Sequence, residues 1–400
     1  TTSGFYFAFA FAFVIAYIVG VTAVSWGWLK RRNAVRQSWV VFAGAAAAAS
    51  ALSLGAVQLV RAVGQGVHEM TIVDGRADAY EATATSYLGL KTATHTLLDL
   101  CVPYKWDEPA GAPESRGSLR PQPGESRWSR QSTFAVPMRY QAVGPLGELR
   151  DVPLRATLKQ FQAVWRGELT GRMACSLRYR AGAELGLDSS SWIDNQLGTD
   201  LRHCYLLVRA KDSSGIVVYF LPELQAGKKV TLTEIGQFME EREKKRRESD
   251  RFGAIRQKLS GDDKEVYRWK PPLLRDLLIG CLADVSLDVQ RSDEQRAQEQ
   301  DLLARPVAPY VCPLMLLTLY GHKEMVSVRR QENFEATRSQ GQELEMSSAI
   351  QSGTALFIGF SEDPGPLRLC RRNPGSGPDA WKPIAPSQSV VMYRILMPVQ

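Results

Sequence analysis

Two long uncharged runs open the chain. From Gly4 to Leu29, and again from Ser38 to Val60, no acidic or basic residue occurs. Each run is longer than the ~20 apolar residues that a bilayer-spanning helix requires. In the first, Phe5, Phe7, Phe9, Phe11 and Phe13 alternate with small residues, a period of two that fits a strand. A lone strand in lipid leaves its backbone N–H and C=O groups unpaired at several kcal/mol each, whereas a helix satisfies them internally. The pattern therefore predicts two transmembrane helices, 4–29 and 38–60. Small residues (Gly44, Ala48, Ser50, Ser53 and Gly55) line the second run and permit close approach of a neighbouring helix. Phe9 and Phe13, four apart on the first, are the side chains expected to pack against Gly44 and Ala48.

The connection between the runs carries Lys30, Arg31, Arg32 and Arg36. Under the positive-inside rule these bases place the turn in the cytoplasm, with both outer helix ends on the far side of the membrane. Trp26, Trp28 and Trp39 flank the turn, at the depth where indoles anchor a helix to the interface. A cleavable signal peptide fits poorly, because no basic region precedes the first run and the run is too long. The opening Thr1-Thr2 reads as a fragment of a longer chain, or a trimmed one. After Val60 the best uncharged stretch, Pro306–Gly321, is interrupted by Pro309 and Pro313 and reads as a buried segment of a water-exposed domain. The lipid bilayer is thus an expected partner, in a two-pass protein of the cytoplasmic (inner) membrane with most of its chain extracytoplasmic.

Beyond the hairpin (1–62) the periodicity changes. Val67–Val73 alternates cleanly before Asp74-Gly75, and Thr83–Leu90 follows; this is the signal of strands separated by a turn. Residues 103–130 collect Pro103, Pro109, Pro113, Pro121 and Pro123 with Gly and Ser, the composition of an exposed loop. Strand-like runs resume at 134–143, 157–165, 169–179, 204–210 and 215–221, so that 63–235 is predicted to be an extracytoplasmic β-sandwich. Residues 236–305 form a helical insertion. Glu240–Arg251 is nearly all charge with acids four residues ahead of bases, which supports a solvated helix. Leu273, Leu274, Leu277, Leu278, Cys281, Leu282 and Val285 make an apolar stripe behind Pro271-Pro272. The final segment, 306–400, returns to β signals at 325–329, 355–360, 367–371 and 389–397. It forms either a second, smaller module or the completion of the first sandwich. The fold class is therefore an α+β membrane protein, a two-helix transmembrane hairpin followed by an all-β, sandwich-like region with an inserted helical segment.

Charge changes the picture little. The chain of 400 residues has 49 Lys+Arg against 42 Asp+Glu, but the four bases of the turn account for most of the excess. The remainder is close to neutral, which argues against nucleic acid as a partner. Chemistry is equally sparse. His68, His95, His203 and His322 show no metal-ligand spacing; His68-Glu69 opens like a zincin motif, but Ile72 stands where the second histidine belongs. The six cysteines contain no Cys-x-x-Cys. Cys175 with Cys204 is the pair to test first for a disulfide, against buried free thiols. His203 and Cys204 are neighbours on a predicted strand and point to opposite faces, so they form no nucleophile–base pair. No phosphate loop and no Gly-x-Ser-x-Gly elbow occurs. No cofactor, metal site or catalytic residue is assigned.

Several stretches carry a resemblance: Trp28-Leu29-Lys30-Arg31-Arg32 in the turn, Ala84–Leu90, Phe161–Gly171, Leu201–Leu207 and the Leu221–Val230 turn into a further strand. In this order they resemble the C-terminal membrane-proximal region of large envelope proteins of planctomycetes and similar bacteria, over residues 4–235 and more loosely 350–400. The motifs are structural, and the resemblance implies no functional residue. The function expected is a membrane-anchored, non-enzymatic envelope scaffold or interaction module that meets proteins or cell-wall material outside the cytoplasm. Two alternatives stand beside it. One is an envelope glycan or peptide hydrolase using acids such as Asp107, Glu108, Asp262 and Asp263, with Trp106, Trp128, Trp165, Trp192, Trp269 and Trp381 as a sugar face. The other is a membrane-complex subunit assembling through the hairpin.

Overall fold

The computed structural model describes residues 66–91, 96–102, 116–121, 141–143, 148–154, 159–180, 186–209, 215–239, 308–322, 344–377 and 381–400. It also describes the positions 19, 30–31, 39–40, 43–44, 46–51, 55, 274, 277–278 and 281. Contacts divide the chain into two compact units, one of 1–65 with 91–96 and 155–157, the other of 66–90, 97–154 and 158–400.

The structure does not bear out the predicted transmembrane hairpin. No helix among the described residues is long and apolar enough to cross a membrane, and the described residues are mostly β-sheet. Freedom from charge removes a penalty on insertion, but crossing also requires an unbroken helix of about 20 residues. The longest helical stretch described within the two runs is 46–51; most of 4–29 and 38–60 lies outside the described residues. The two-pass inner-membrane placement, with its cytoplasmic turn and multi-pass character, loses its support with the hairpin.

The second unit is built on an eight-stranded sheet. Its strands are β1 (Gly66–Arg76), β2 (Glu81–Lys91), β4 (Arg116–Pro121), β7 (Lys159–Glu168), β10 (Leu201–Arg209), β11 (Ile216–Leu224), β13 (Thr354–Ser361) and β16 (Gln388–Pro398), in the order β11-β10-β13-β16-β1-β2-β7-β4. The sequence-distant strands β1 and β16 lie side by side and parallel, from His68 opposite Gln388 to Arg76 opposite Leu396. The C-terminal strands therefore complete the sheet that β1 begins. This pairing carries β1 past the predicted Asp74-Gly75 turn. The chain reverses instead at Ala77-Asp78, where Asp78 takes a positive φ of 62°, a conformation Asp tolerates better than most residues.

Two smaller sheets face one side of this platform: β12 (Lys229–Thr231), β9 (Trp192–Gln196) and β8 (Arg172–Ser176) in one, and β15 (Lys382–Pro383), β14 (Cys370–Arg372), β3 (Thr96–Cys101), β6 (Glu148–Leu154) and β5 (Gln141–Val143) in the other. The inner core mixes both layers, with Val73, Ala84, Phe161, Phe357 and Ile395 from the large sheet against Leu100, Leu149, Met173 and Ile193. On the opposite face, Ile72, Leu207, Ile358 and Met392 pack against Leu314 and Met315 of α2 (Ala308–Thr318) and against Leu274, Leu278 and Cys281 of the apolar stripe. A short helix α1 occupies 232–239. Because both faces are covered, the central strands read as continuous apolar runs, as sheets buried on both sides do; β13 is buried at every position after the first. The stretch read as a Pro-rich loop holds β4, an edge strand beside β7 that ends at Pro121, a position where a missing N–H is tolerated.

Candidate functional site

The seam between β1 and β16 gathers the polar groups that sequence patterning leaves unexplained. Alternation along Val67-His68-Glu69-Met70-Thr71 sends Met70 toward the helical layer and Thr71 toward the inner core. Parallel register then places Gln388 beside His68, Ser389 beside Glu69 and Val390 beside Met70.

On the helical side lies a cavity of about 340 Å³. Its walls are apolar at Met70, Leu317, Leu344 and Val390 and polar at His68, Gln160, Gln388 and the tyrosines Tyr87 and Tyr310. His68 Nδ1 is 3.3 Å from Gln388 Oε1, a contact that crosses the seam at the rim. Glu69 is the one carboxylate in the lining, and among the described residues no Lys or Arg contributes to it.

Within the strand ladder, Thr71 Oγ1 donates to Glu69 Oε1 at 2.7 Å and lies 2.5 Å from Ser86 Oγ of β2. A Ser86→Thr71→Glu69 relay, each hydroxyl donating to the next oxygen, satisfies all three groups. Glu69, Thr71 and Ser86 are buried. Burial pushes the Glu69 carboxyl above its ordinary range, and the Thr71 hydrogen bond offsets this only in part. Beside Glu69, the Ser389 hydroxyl is buried with no hydrogen-bond partner among the described residues. Farther along the inner face, Thr199 Oγ1 donates to Asp363 Oδ2 and contacts Ser361 Oγ at 2.8 Å. Burial, then the nearby Asp363, raises the Tyr393 phenol to about 12.

Several charges elsewhere in the sheets are neutralised in pairs. Arg394, 3% exposed, holds Asp74 through Nε–Oδ1 at 2.6 Å and Nη2–Oδ2 at 2.7 Å. Arg372 donates to Asp99 at 2.9 Å and to Glu148 at 2.5 Å and stacks 4.4 Å over Trp381. Lys229 caps Trp192 at 3.7 Å, and Trp165 is in the core, so none of these three tryptophans forms an open sugar platform. Trp106, Trp128 and Trp269, like the acids Asp107, Glu108, Asp262 and Asp263, lie outside the described residues.

Of the turn, anchor, packing and disulfide residues singled out from sequence, the structure describes Lys30, Arg31, Trp39, Gly44, Ala48, Cys175 and Cys204. Lys30 and Arg31 are helical and exposed, while Arg32 and Arg36 lie outside the described residues. Trp39 is 71% exposed; Trp26, Trp28, Phe9 and Phe13 are not described. Gly44 and Ala48 are exposed, and a Cβ on Gly44 would meet nothing within 4 Å. Cys175 and Cys204 are both free thiols. Each lacks a cysteine opposite it, since Cys175 pairs with Ile193 and Cys204 with Leu221. Burial raises both, Cys175 to about 12, which suits packing and not nucleophilic attack. His203 takes a positive φ of 47° at the point where β10 shifts register against β13, a bulge that local alternation does not announce. No group of three or more metal-ligating side chains occurs among the described residues. The Glu69–Thr71–Ser86 cluster was missed, although polar residues on a face otherwise set by Val67, Val73, Ala84 and Leu88 were its signal. No family model matches the chain, and no curated protein matches it.

Proposed function

We propose that the chain is an interaction module whose layered sheets hold one binding site rigidly, the cavity along the β1/β16 seam, and that this site takes a small, neutral, amphipathic molecule. The observation that carries the reading is the cavity itself. Its volume of about 340 Å³ falls in the range of small-molecule sites, which are mostly apolar with a few convergent polar groups. Gln160 and Gln388 each present an amide donor and acceptor, matching a hydroxyl or amide head group. The apolar walls match a hydrocarbon or aryl body. Among the described residues no Lys or Arg lines the cavity, so a phosphate or carboxylate finds no such charge-assisted partner there, and the one carboxylate of the lining, Glu69, is buried and already engaged by Thr71. The hydrolase alternative needs two free carboxylates across a groove; its acids Asp107, Glu108, Asp262 and Asp263 lie outside the described residues, and among those described Asp74, Asp99 and Glu148 are each engaged by an arginine.

Ligand-observed NMR with neutral aryl amides and aliphatic alcohols, run on the full chain, tests the proposal. Saturable binding that disappears in Met70→Trp, a variant that fills the cavity, is the expected result, provided the variant melts with the wild type. Binding unchanged by Met70→Trp, or no saturable binding by any probe, overturns it.

A further inference from the structure

A different pair of cysteines from the one the sequence brought forward stands in register. Strands β3 and β14 are antiparallel, with Cys370 opposite Cys101 and Arg372 opposite Asp99. Directly opposed residues of an antiparallel pair project from the same face with Cα atoms about 4.5 or 5.5 Å apart, depending on the hydrogen-bonding site. Both separations fall inside the range of roughly 4.4–6.8 Å that a disulfide spans. The neighbouring row confirms the register at the level of side chains, because Arg372 Nε donates to Asp99 Oδ2 at 2.9 Å. Both thiols are free; Cys101 is half-buried and Cys370 is buried. After burial, the nearby Cys370 is the next influence holding the Cys101 thiol up, at about 12. No other two cysteines face each other across the described strand pairs.

We propose that Cys101 and Cys370 are a redox-closing dithiol, oxidised to a cross-strand disulfide by exchange with a small disulfide of the glutathione type. Cys101, the more exposed, gives up its proton, and its sulfur attacks one sulfur of the small disulfide. That S–S bond breaks, and the departing thiolate takes up a proton. The Cys370 sulfur, losing its own proton, then attacks the Cys101 sulfur of the mixed disulfide and expels the second small thiol. Two protein thiols are oxidised and one small disulfide is reduced to two thiols, with two electrons and two protons transferred. Arg372, on the same face, favours the Cys101 thiolate, though less than burial and Cys370 oppose it. Exchange is consequently slow at neutral pH and speeds up about tenfold per pH unit as the thiolate fraction grows. The bond links the neighbouring strands β14 and β3 within the five-stranded sheet and fixes the Arg372–Asp99 row beside it.

The test uses the full chain incubated with oxidised glutathione at mildly alkaline pH, followed by alkylation and peptide mapping without reductant. A linked Cys101–Cys370 peptide, a loss of two hydrogen masses and reversal by dithiothreitol are expected. Cys370→Ser should stop at a glutathione adduct on Cys101, and Cys101→Ser should give neither product. Alkylation of all six cysteines after oxidation, a stable adduct on wild-type Cys101, or a linked peptide joining another pair overturns the proposal. The wild-type map decides the matter even if a serine variant fails to fold.

Discussion

Removing the Asp74 carboxylate while leaving Arg394 in place strands a guanidinium at the centre of the sheet. The Arg394 side chain is 4% exposed and that of Asp74 is 36% exposed. Breaking a fully buried pair costs about 3–5 kcal/mol, because the remaining charge is neither hydrated nor paired, whereas an exposed pair contributes about 0–1 kcal/mol. This pair is buried at one end and wet at the other, and Arg394 Nη1 keeps its bond to the Leu344 carbonyl. Asp74→Ala should therefore cost about 2–3 kcal/mol. Arg394→Met removes the buried charge, fills most of its volume and leaves Asp74 able to hydrate. Its cost should be nearer 1 kcal/mol, chiefly the donor lost by Leu344. The double variant should lie close to Arg394→Met alone. Urea titration followed by tryptophan fluorescence measures each as a shift in midpoint at constant slope. If Asp74→Ala unfolds within about 0.5 kcal/mol of the wild type, or if Arg394→Met is the more damaging change, the reasoning is refuted.

Glu69 gives a pH signature. Its pKa is raised in the folded state, so between the ordinary carboxylate value and the raised one the folded chain binds the proton more tightly, and stability falls as pH rises through that window. Glu69→Gln should flatten this decline and melt higher than the wild type at neutral pH; parallel pH–stability curves would show that Glu69 is not the group responsible. At Gly171 a Cβ would lie 1.8 Å from the Gln196 carbonyl oxygen. Backbone cannot yield as a side chain does, so Gly171→Ala should cost about 1–3 kcal/mol or more, read as a lowered melting temperature; an unchanged melt counts against the close approach of β8 and β9. Closing Cys101 to Cys370 spans about 270 residues, for which chain entropy sets an upper limit of roughly 5–6 kcal/mol of stabilisation. The oxidised chain should melt well above the reduced one.

Much of the β framework was legible from local pattern. The runs 83–90, 355–360 and 389–397 fall within β2, β13 and β16, because buried strands write themselves as β-branched and aromatic stretches. The stripe holding Leu274, Leu278 and Cys281 packs into the helical-side core. What failed depended on partners far along the chain. Asp74-Gly75 has the composition of a turn, but pairing with Ile395 and its neighbours keeps it extended. Arg116–Pro121 lies in Pro- and Gly-rich sequence and becomes a strand only because β7 offers an edge. Cys101 and Cys370 share no local motif; their opposition follows from register alone. Absence of charge over 4–29 and 38–60 is a statement about composition, and among the described residues no helix long and apolar enough to cross a membrane accompanies it.

The β1/β16 seam links these points to the proposed site. Its residues are some 320 positions apart in the chain, so their pairing closes a very long loop, a step whose entropy must be met before the contacts reward it. Both candidate features straddle that seam, the cavity through His68 with Gln388 and Met70 with Val390, and the buried polar cluster through Glu69 beside Ser389. A molecule in the cavity touches both strands at once and so binds only after the sheet has closed. Occupancy at a hundredfold excess over Kd would then stabilise the fold by about 2.7 kcal/mol. Deleting 388–400 should abolish binding by removing one wall and one central strand together. A ligand that binds the shortened chain as tightly as the whole one would show that the site lies elsewhere than on this seam.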